Sequence, residues 1–490
     1  MIVHDSREAK SVSPEGGAIT PYPSAGSAWF ATIVLSLTMM VNFMDRGVIT
    51  LLIDPIKRDL DLGDTEISLL VGFAFVGFYV LLGLPIARLV DSFCRKCILS
   101  VGIALWSAAT TACAFASSFP LLMSARVAQG VGETTLMPTM GSMLSDYFPR
   151  ERLPRAMSVI GAGSMIGTAG ALIGGGAALG WAQAVAPLHL GFFVIEHDWQ
   201  IVFLLAGIPG LLVAILMLFV REPKRRLAVG ERPEGTKHPI IKDVVQLIRR
   251  QPALFIPLFA GQALITMQSF GMNTWMPALF FRRHGWSLPE YGATVGTITL
   301  IAAPIGLVVG AGLAEHLTKR GRDDSFVRTV MILAAAAIPF AVAAPIVASP
   351  IAALTCLGIS TMLILATPSP AHAALIVATP NHMRGRMITL FAFTLNVIGA
   401  GIGPLVVALL TDYVFWNEAM VGWSLALVSA IFGPLAVYVQ WKAMKPYGKL
   451  VKRIRETEER IQVTGGLTND VDNTNKQIKR NVMSSSAMSL

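Results

Sequence analysis

FPLLMSARVAQGVGETTLMPTMGSMLSD, residues 119–146, is long and apolar enough to cross a bilayer, yet its interior carries Arg126 and Glu133 with no charge between them. An ionised side chain at membrane depth costs several kcal/mol or more, so it marks a functional site by default. Arg126, Gln129, Gly130 and Glu133 stand at i, i+3, i+4 and i+7, which sets them on one helix face about 10 Å long. A buried arginine–carboxylate pair can also serve only to hold helices together. The rest of the chain weighs between the two.

Of 490 residues, 54% are hydrophobic and 14% charged, and the mean hydropathy is +0.62. This excludes an ordinary soluble globular chain. Apolar runs recur along nearly the whole length, each able to span ~30 Å of hydrocarbon. Twelve spans are expected: 28–53, 68–90, 97–117, 119–146, 156–180, 199–220, 252–281, 290–317, 327–347, 350–378, 386–411 and 420–442. The first 27 residues are polar, without a basic stretch leading into a short apolar core, so span one is expected to be a retained anchor. Cys94, Cys97, Cys113 and Cys356 give no disulfide framework. The lone Cys94-Arg-Lys-Cys97 has no second pair or histidine cluster beside it, so neither a metal nor a cofactor is expected.

A net charge of +9 invites a nucleic-acid partner, but its placement removes the need for one. Loops on the amino-terminal side hold 20 Lys and Arg, at 95–96, 150–155, 221–250, 319–328 and 384–386. The opposite loops hold 4, Lys57, Arg58, Arg282 and Arg283. By the positive-inside rule both termini lie in the cytoplasm. The hydrophilic segment 221–251 divides a first bundle, 28–220, from a second, 252–443, with a disordered amino-terminal stretch 1–27 and a cytoplasmic tail 444–490. Within the segment, IIKDVVQLIRR suits a helix on the membrane surface. The tail starts basic, suited to anionic lipid, and then reads as disordered.

The two bundles are related. Asp91, Arg95 and Lys96 after span two recur as Glu315, Lys319 and Arg320 after span eight, at an offset of 224. Pro149 and Arg155 after span four recur as Pro380 and Arg386 after span ten, at 231. Internal symmetry between six-span halves marks a duplicated transporter with its site at the midplane. The expected fold is all-α: twelve transmembrane helices in two pseudo-symmetric six-helix bundles.

Span one carries Asp45 and Arg46 inside an apolar run. Counting 1.5 Å per residue from the span ends sets Asp45 and Arg126 at a similar depth, roughly 10–12 Å below the outer surface, with Glu133 nearer the midplane. Two carboxylates and one arginine cannot all be satisfied together, so one acid must take a proton or find another partner. Asp45 and Glu133 are therefore expected to share proton coupling, with Arg126 moving between them or receiving an anionic substrate group. Arg46, about 100° round the helix from Asp45, faces a neighbour that the sequence does not specify.

Spans seven to twelve lack comparable buried charge. Gln262, Gln268, Asn273, Trp275, His372 and Asn396 are candidate cavity residues, against the ordinary role of bridging helices. Span five has glycines at small-xxx-small spacing, at 161, 163, 167, 170 and 174–176, suited to close helix approach. In span eleven Gly399, Gly401 and Gly403 precede Pro404, which predicts a bend. The chain has no Walker loop, HExxH or GxSxG, and an enzyme is not expected.

Several segments resemble the major facilitator superfamily, and within it the bacterial Spinster-like branch: NFMDR at 42–46, GFAFVGFYVLLGLPIARLVD at 72–91, ALWS at 104–107, RVAQGVGE at 126–133, SDYFP at 145–149 and GAGIGP at 399–404. The resemblance implies a two-bundle, alternating-access transporter. It implies proton coupling and substrate contact for Asp45, Arg126 and Glu133, and a cytoplasmic gating latch for Asp91, Arg95 and Lys96. This chain departs from the pattern at Ser92, where the family has a basic residue, and at Ala87, where it has glycine. Gly174-Gly175 replaces the Gly-Pro of the antiporter motif, so the motif does not favour export. The branch is linked with lysolipids and other amphipaths, and related bacterial facilitators with organic acids; an arginine in the cavity suits a phosphate or a carboxylate. The competing readings are a proton antiporter for lipophilic compounds and a receptor or scaffold that kept the fold. A scaffold has no use for buried charge. The expected partners are a small solute, protons and the bacterial inner-membrane bilayer, with the protein a monomer.

Overall fold

The computed structural model describes residues 22–73, 82–83, 85–86, 89–90, 92–149, 152–190, 193–225, 241–380 and 383–486. Among them ten helices are long and apolar enough to cross a membrane, and they fall on ten of the expected spans. The other two differ for separate reasons. Span two lies largely outside the described residues, Asp91 with it. Span four is two helices, Phe119–Glu133 and Leu136–Tyr147. Pro138 has no N–H to return to the Thr134 carbonyl. The Thr134 and Thr135 hydroxyls instead turn back onto the Gly130 and Gly132 carbonyls, 2.8 Å each. Span four therefore breaks directly after Glu133.

Span eleven bends where glycine and proline predict. The helix Arg384–Leu395 widens into π turns over Asn396–Ile402 and resumes at Gly403–Leu409. The Pro404 carbonyl there accepts from the Trp275 indole at 3.0 Å and the Ser68 hydroxyl at 3.1 Å. Two features depart from the sequence reading. An antiparallel hairpin pairs Leu188–Leu190 with Phe193–Ile195 ahead of span six. The last helix runs from Val421 to Ser486, beyond the expected end at 442 and through the stretch read as disordered. Arg455 on this extension reaches Asp323 at 2.8 Å, an anchor that composition alone does not reveal.

Tyr22, near the start of span one, gathers with Asp146, Tyr147 and Arg221–Lys224 around one hollow. This end is called the terminal face, and the end carrying residues 52–67 the far face. The apolar core differs between them. One continuous cluster crosses from the first six spans to the last six at the far face, joining Leu52, Ile56 and Trp199 to Trp275, Tyr291 and Val421. Toward the terminal face each half has its own cluster, one around Tyr147 and Leu144, the other around Phe255 and Tyr447. Among the described residues the apolar core joins the two halves at one face and is divided between them at the other.

Glycine makes two of these contacts possible. Gly163 and Gly167 of span five lie against the backbone of Ser36 and Met40, which seats span one and sets the direction of Asp45 and Arg46. Nearer the far face, the Cβ that Gly292 lacks would stand 3.3 Å from the Gly176 Cα and closer still to the Leu172 carbonyl. Gly292→Leu is expected to destabilise the protein by about 1–3 kcal/mol through overpacking. Gly141→Ala, where a Cβ meets nothing within 4 Å, is expected to leave the melting temperature in detergent close to wild type. Equal melting temperatures for the two variants would contradict the tight span five–span eight contact.

Candidate functional site

Four of the expected site residues form one connected chain. Gln129 joins the two charges of span four: its side-chain oxygen accepts from Arg126 Nη1 at 2.5 Å, and its Nε2 donates to Glu133 Oε1 at 3.0 Å. The i, i+3 and i, i+4 spacings make this relay possible within one helix. The other Glu133 oxygen accepts from Arg46 Nε at 2.6 Å. Arg46 thus faces Glu133, which identifies the neighbour that the sequence left open. Gly132 rests on the backbone of Gly102 and Trp106 in span three and brings that helix beside the relay.

Asp45 stands apart from this chain. One of its oxygens faces the Thr110 hydroxyl at 3.3 Å, and the other has no hydrogen-bond partner. That hydroxyl is shared with the Trp106 carbonyl at 3.0 Å. The direct Asp45–Arg126 contact allowed by their matching depths is absent among the described residues, and Arg126 Nε is also without a partner. Asp45, Arg126, Gln129 and Glu133 are each at most 2% exposed, whereas the Arg46 side chain keeps 26% of its surface. Arg46 is therefore the more exposed of the two cations. Thr110 is a partner that sequence reasoning missed, because a threonine in an apolar helix most often bonds its own preceding turn.

The second-half candidates make local contacts. Gln262 donates to Thr367 at 3.2 Å, Asn273 to Ser269 at 3.4 Å, and Asn396 to the Ala392 carbonyl at 2.9 Å. The ring of His372 bonds the Pro368 carbonyl at 2.8 Å. Trp275 is fully buried, its indole held by Pro404, and Gln268 is buried beside Gly433 of span twelve. None of these hydrogen bonds reaches the Arg126–Glu133 chain.

At the terminal face Asp91 lies outside the described residues, but Arg95 is placed. It is 1% exposed and donates to Glu222 at 2.9 Å, to Ser142 at 3.0 and 3.1 Å, to the Pro223 carbonyl at 2.7 Å and to Asp146. Lys96 Nζ reaches the Leu218 carbonyl at 3.0 Å. Arg95 thus ties span three to the ends of spans four and six, through two acids that the sequence reading did not assign. The counterpart Glu315 and Lys319 form an exposed i, i+4 pair at 2.6 Å, and Arg320 is exposed. The sulfurs of Cys94 and Cys97 are bonded to each other, a single local bridge where the sequence reading expected no disulfide framework. Cys94 caps the span-three helix, and this first turn brings the two Cα atoms to 5.3 Å. No group of three or more metal-ligating side chains occurs among the described residues.

Among the described residues, membrane helices that share one apolar core at one face and divide it at the other, with buried charge in the first half, fit a secondary transporter. The chain belongs to the Major Facilitator Superfamily, whose family model matches residues 35–404. It is similar to an MFS-type efflux pump of Mycolicibacterium smegmatis, 27% identical over 79% of this chain and 85% of that protein. It is also similar to the sphingosine-1-phosphate transporter SPNS2 of Danio rerio, 26% identical over 83% of this chain and 81% of that one. Among solved structures, a bacterial homologue of the human lysosomal transporter Spinster, inward-facing and unoccupied, superposes with a TM-score of 0.71. It is 23% identical, and the match covers 88% of this chain and 98% of that one. The chain is thus a multi-pass integral membrane protein and not an enzyme.

Removing one partner of a buried ion pair strands the other, at a cost of about 3 kcal/mol or more. Arg95→Gln is expected to lower the melting temperature in detergent markedly, and Lys319→Gln to leave it near wild type. Equal, small shifts would contradict the buried role of Arg95.

Proposed function

We propose that this protein is a proton-coupled secondary active transporter. It moves a small amphipathic or anionic organic solute, an organic acid or lysolipid-like molecule, across the bacterial inner membrane by alternating access. The observation that carries this reading is Glu133, held between Arg46 on one oxygen and the Arg126–Gln129 relay on the other. An anionic group arriving at the partly exposed Arg46 competes with Glu133 for the same guanidinium. Glu133 then loses its ion pair inside an apolar span, and taking up a proton relieves the stranded charge. Solute arrival and protonation become one coupled event. Asp45, with an unpartnered oxygen, is the second proton carrier.

In this reading the terminal face is cytoplasmic, as the excess of Lys and Arg in its loops favours, and the parted halves open toward it. Residues 28–220 and 252–443 rock against one another about the linker 221–251, and the protein acts as a monomer. The similarity to a mycobacterial efflux pump supports a second reading, proton antiport that exports lipophilic compounds.

The test uses proteoliposomes loaded with a pH-sensitive dye and offered a lysolipid, an aromatic acid or a lipophilic cation. Wild-type protein is expected to move protons with the first or second. Asp45→Asn and Glu133→Gln are each expected to slow that movement by about tenfold or more, at least ~1.4 kcal/mol. Proton movement driven only by the cation, in the opposite direction, would favour antiport. Undiminished coupling in both variants would overturn the assignment of these acids.

A further inference from the structure

The far face carries a second set of charges, remote from Glu133, that joins the two halves of the chain. Arg282, at the end of span seven, donates to Asp54 at 2.8 Å and to both oxygens of Asp64 at 3.0 and 3.1 Å. Both acids belong to the loop between spans one and two. Lys57 of the same loop lies 2.5 Å from Asp64 and 2.7 Å from Glu418, just ahead of span twelve. Asp412, at the end of span eleven, accepts from the Thr65 amide at 2.8 Å and its hydroxyl at 2.6 Å. The Arg282 guanidinium stands 5.7 Å from the centre of the Trp275 ring. Asp64 is fully buried, and the side chains of Arg282, Lys57 and Asp54 retain 10, 11 and 13% of their surface.

We infer that these groups form an ionic clamp that holds the far face shut, with Arg282 as its central cation and release of Arg282 from Asp54 and Asp64 as the opening step. The inference rests on the alternating-access reading above. Its force comes from a difference between two states. With the far face closed, Asp64 is enclosed and held by ion pairs to Arg282 and Lys57. With the far face open, water reaches the same acids and stands in for the cations. Neutralising Arg282 therefore penalises the closed state far more than the open one, and a population moves only on such a difference. Asp54 fits the same logic. Burial pushes its carboxyl above the ordinary range, and Arg282 beside it pulls the other way. By contrast, the exposed Glu315–Lys319 pair at the terminal face gains little from being closed.

The test measures the gate itself. Spin labels at Arg58→Cys and Glu290→Cys, two exposed far-face positions in opposite halves, are placed in protein whose four cysteines are replaced by serine, in lipid nanodiscs. Pulsed electron–electron distance measurements are expected to give one short distance when Arg282 is intact. Arg282→Gln is expected to add a longer distance and raise the open-to-closed ratio about tenfold or more. Arg282→Lys, which keeps the charge without the fork, is expected to fall between the two and serves if the Gln variant does not fold. A distance distribution unchanged by both variants would overturn the clamp. A changed distribution in a protein that carries no solute would support the clamp and count against the transport reading instead.

Discussion

A carboxylate inside an apolar span has to be met by a donor or by a proton, and Glu133 is met by two donors from different helices. That requirement organises the middle of the molecule. Gln129 bridges Arg126 to Glu133 because the three residues share a helix face. Arg46 enters from span one because Gly163 and Gly167 let span five seat that helix closely. Span four breaks immediately after Glu133, where Pro138 and two threonine hydroxyls interrupt the ladder. The acid thus sits at the end of a helix and between Arg46 and Gln129, and each of these facts leaves it sensitive to a change in its neighbours.

The two faces of the molecule treat charge differently, and the internal repeat conceals this. Arg95 and Lys319 occupy equivalent places in the two halves by sequence offset. One is enclosed by Asp146, Glu222 and Ser142, and the other lies in solvent beside Glu315. At the far face the acids and Arg282 bridge the halves directly. A duplicated pattern therefore locates equivalent backbone. The enclosure of each side chain follows from what stands around it: Arg95 is closed in by its own half, and Arg282 by the meeting of both. The apolar core shows the same division, continuous at the far face and split toward the terminal face.

Much of this was legible before any coordinates. Span lengths follow from apolar runs, the Arg126–Glu133 face from helical spacing, and the bend of span eleven from its glycines and Pro404. The break in span four had a signal in Pro138 that span length masked. Partnerships between distant residues were not legible. Arg46 meets Glu133 across 87 positions, Arg95 meets Glu222 across 127, and Arg282 meets Asp54 across 228. Periodicity gives the direction of a side chain on its own helix and carries no information about which helix stands opposite. In the sequence, Arg282, Lys57 and their neighbours served only to orient the chain in the membrane.

The coupling of solute to proton at Glu133 is tested most directly by titration calorimetry of the purified protein, with solute binding measured in two buffers of different ionisation enthalpy at one pH. If an anionic solute displaces Glu133 from Arg46, the apparent binding enthalpy will differ between buffers, showing proton uptake, and Glu133→Gln will reduce or abolish the difference. Tight binding with identical enthalpies in both buffers would contradict the coupled exchange and leave the buried charges as ties between helices.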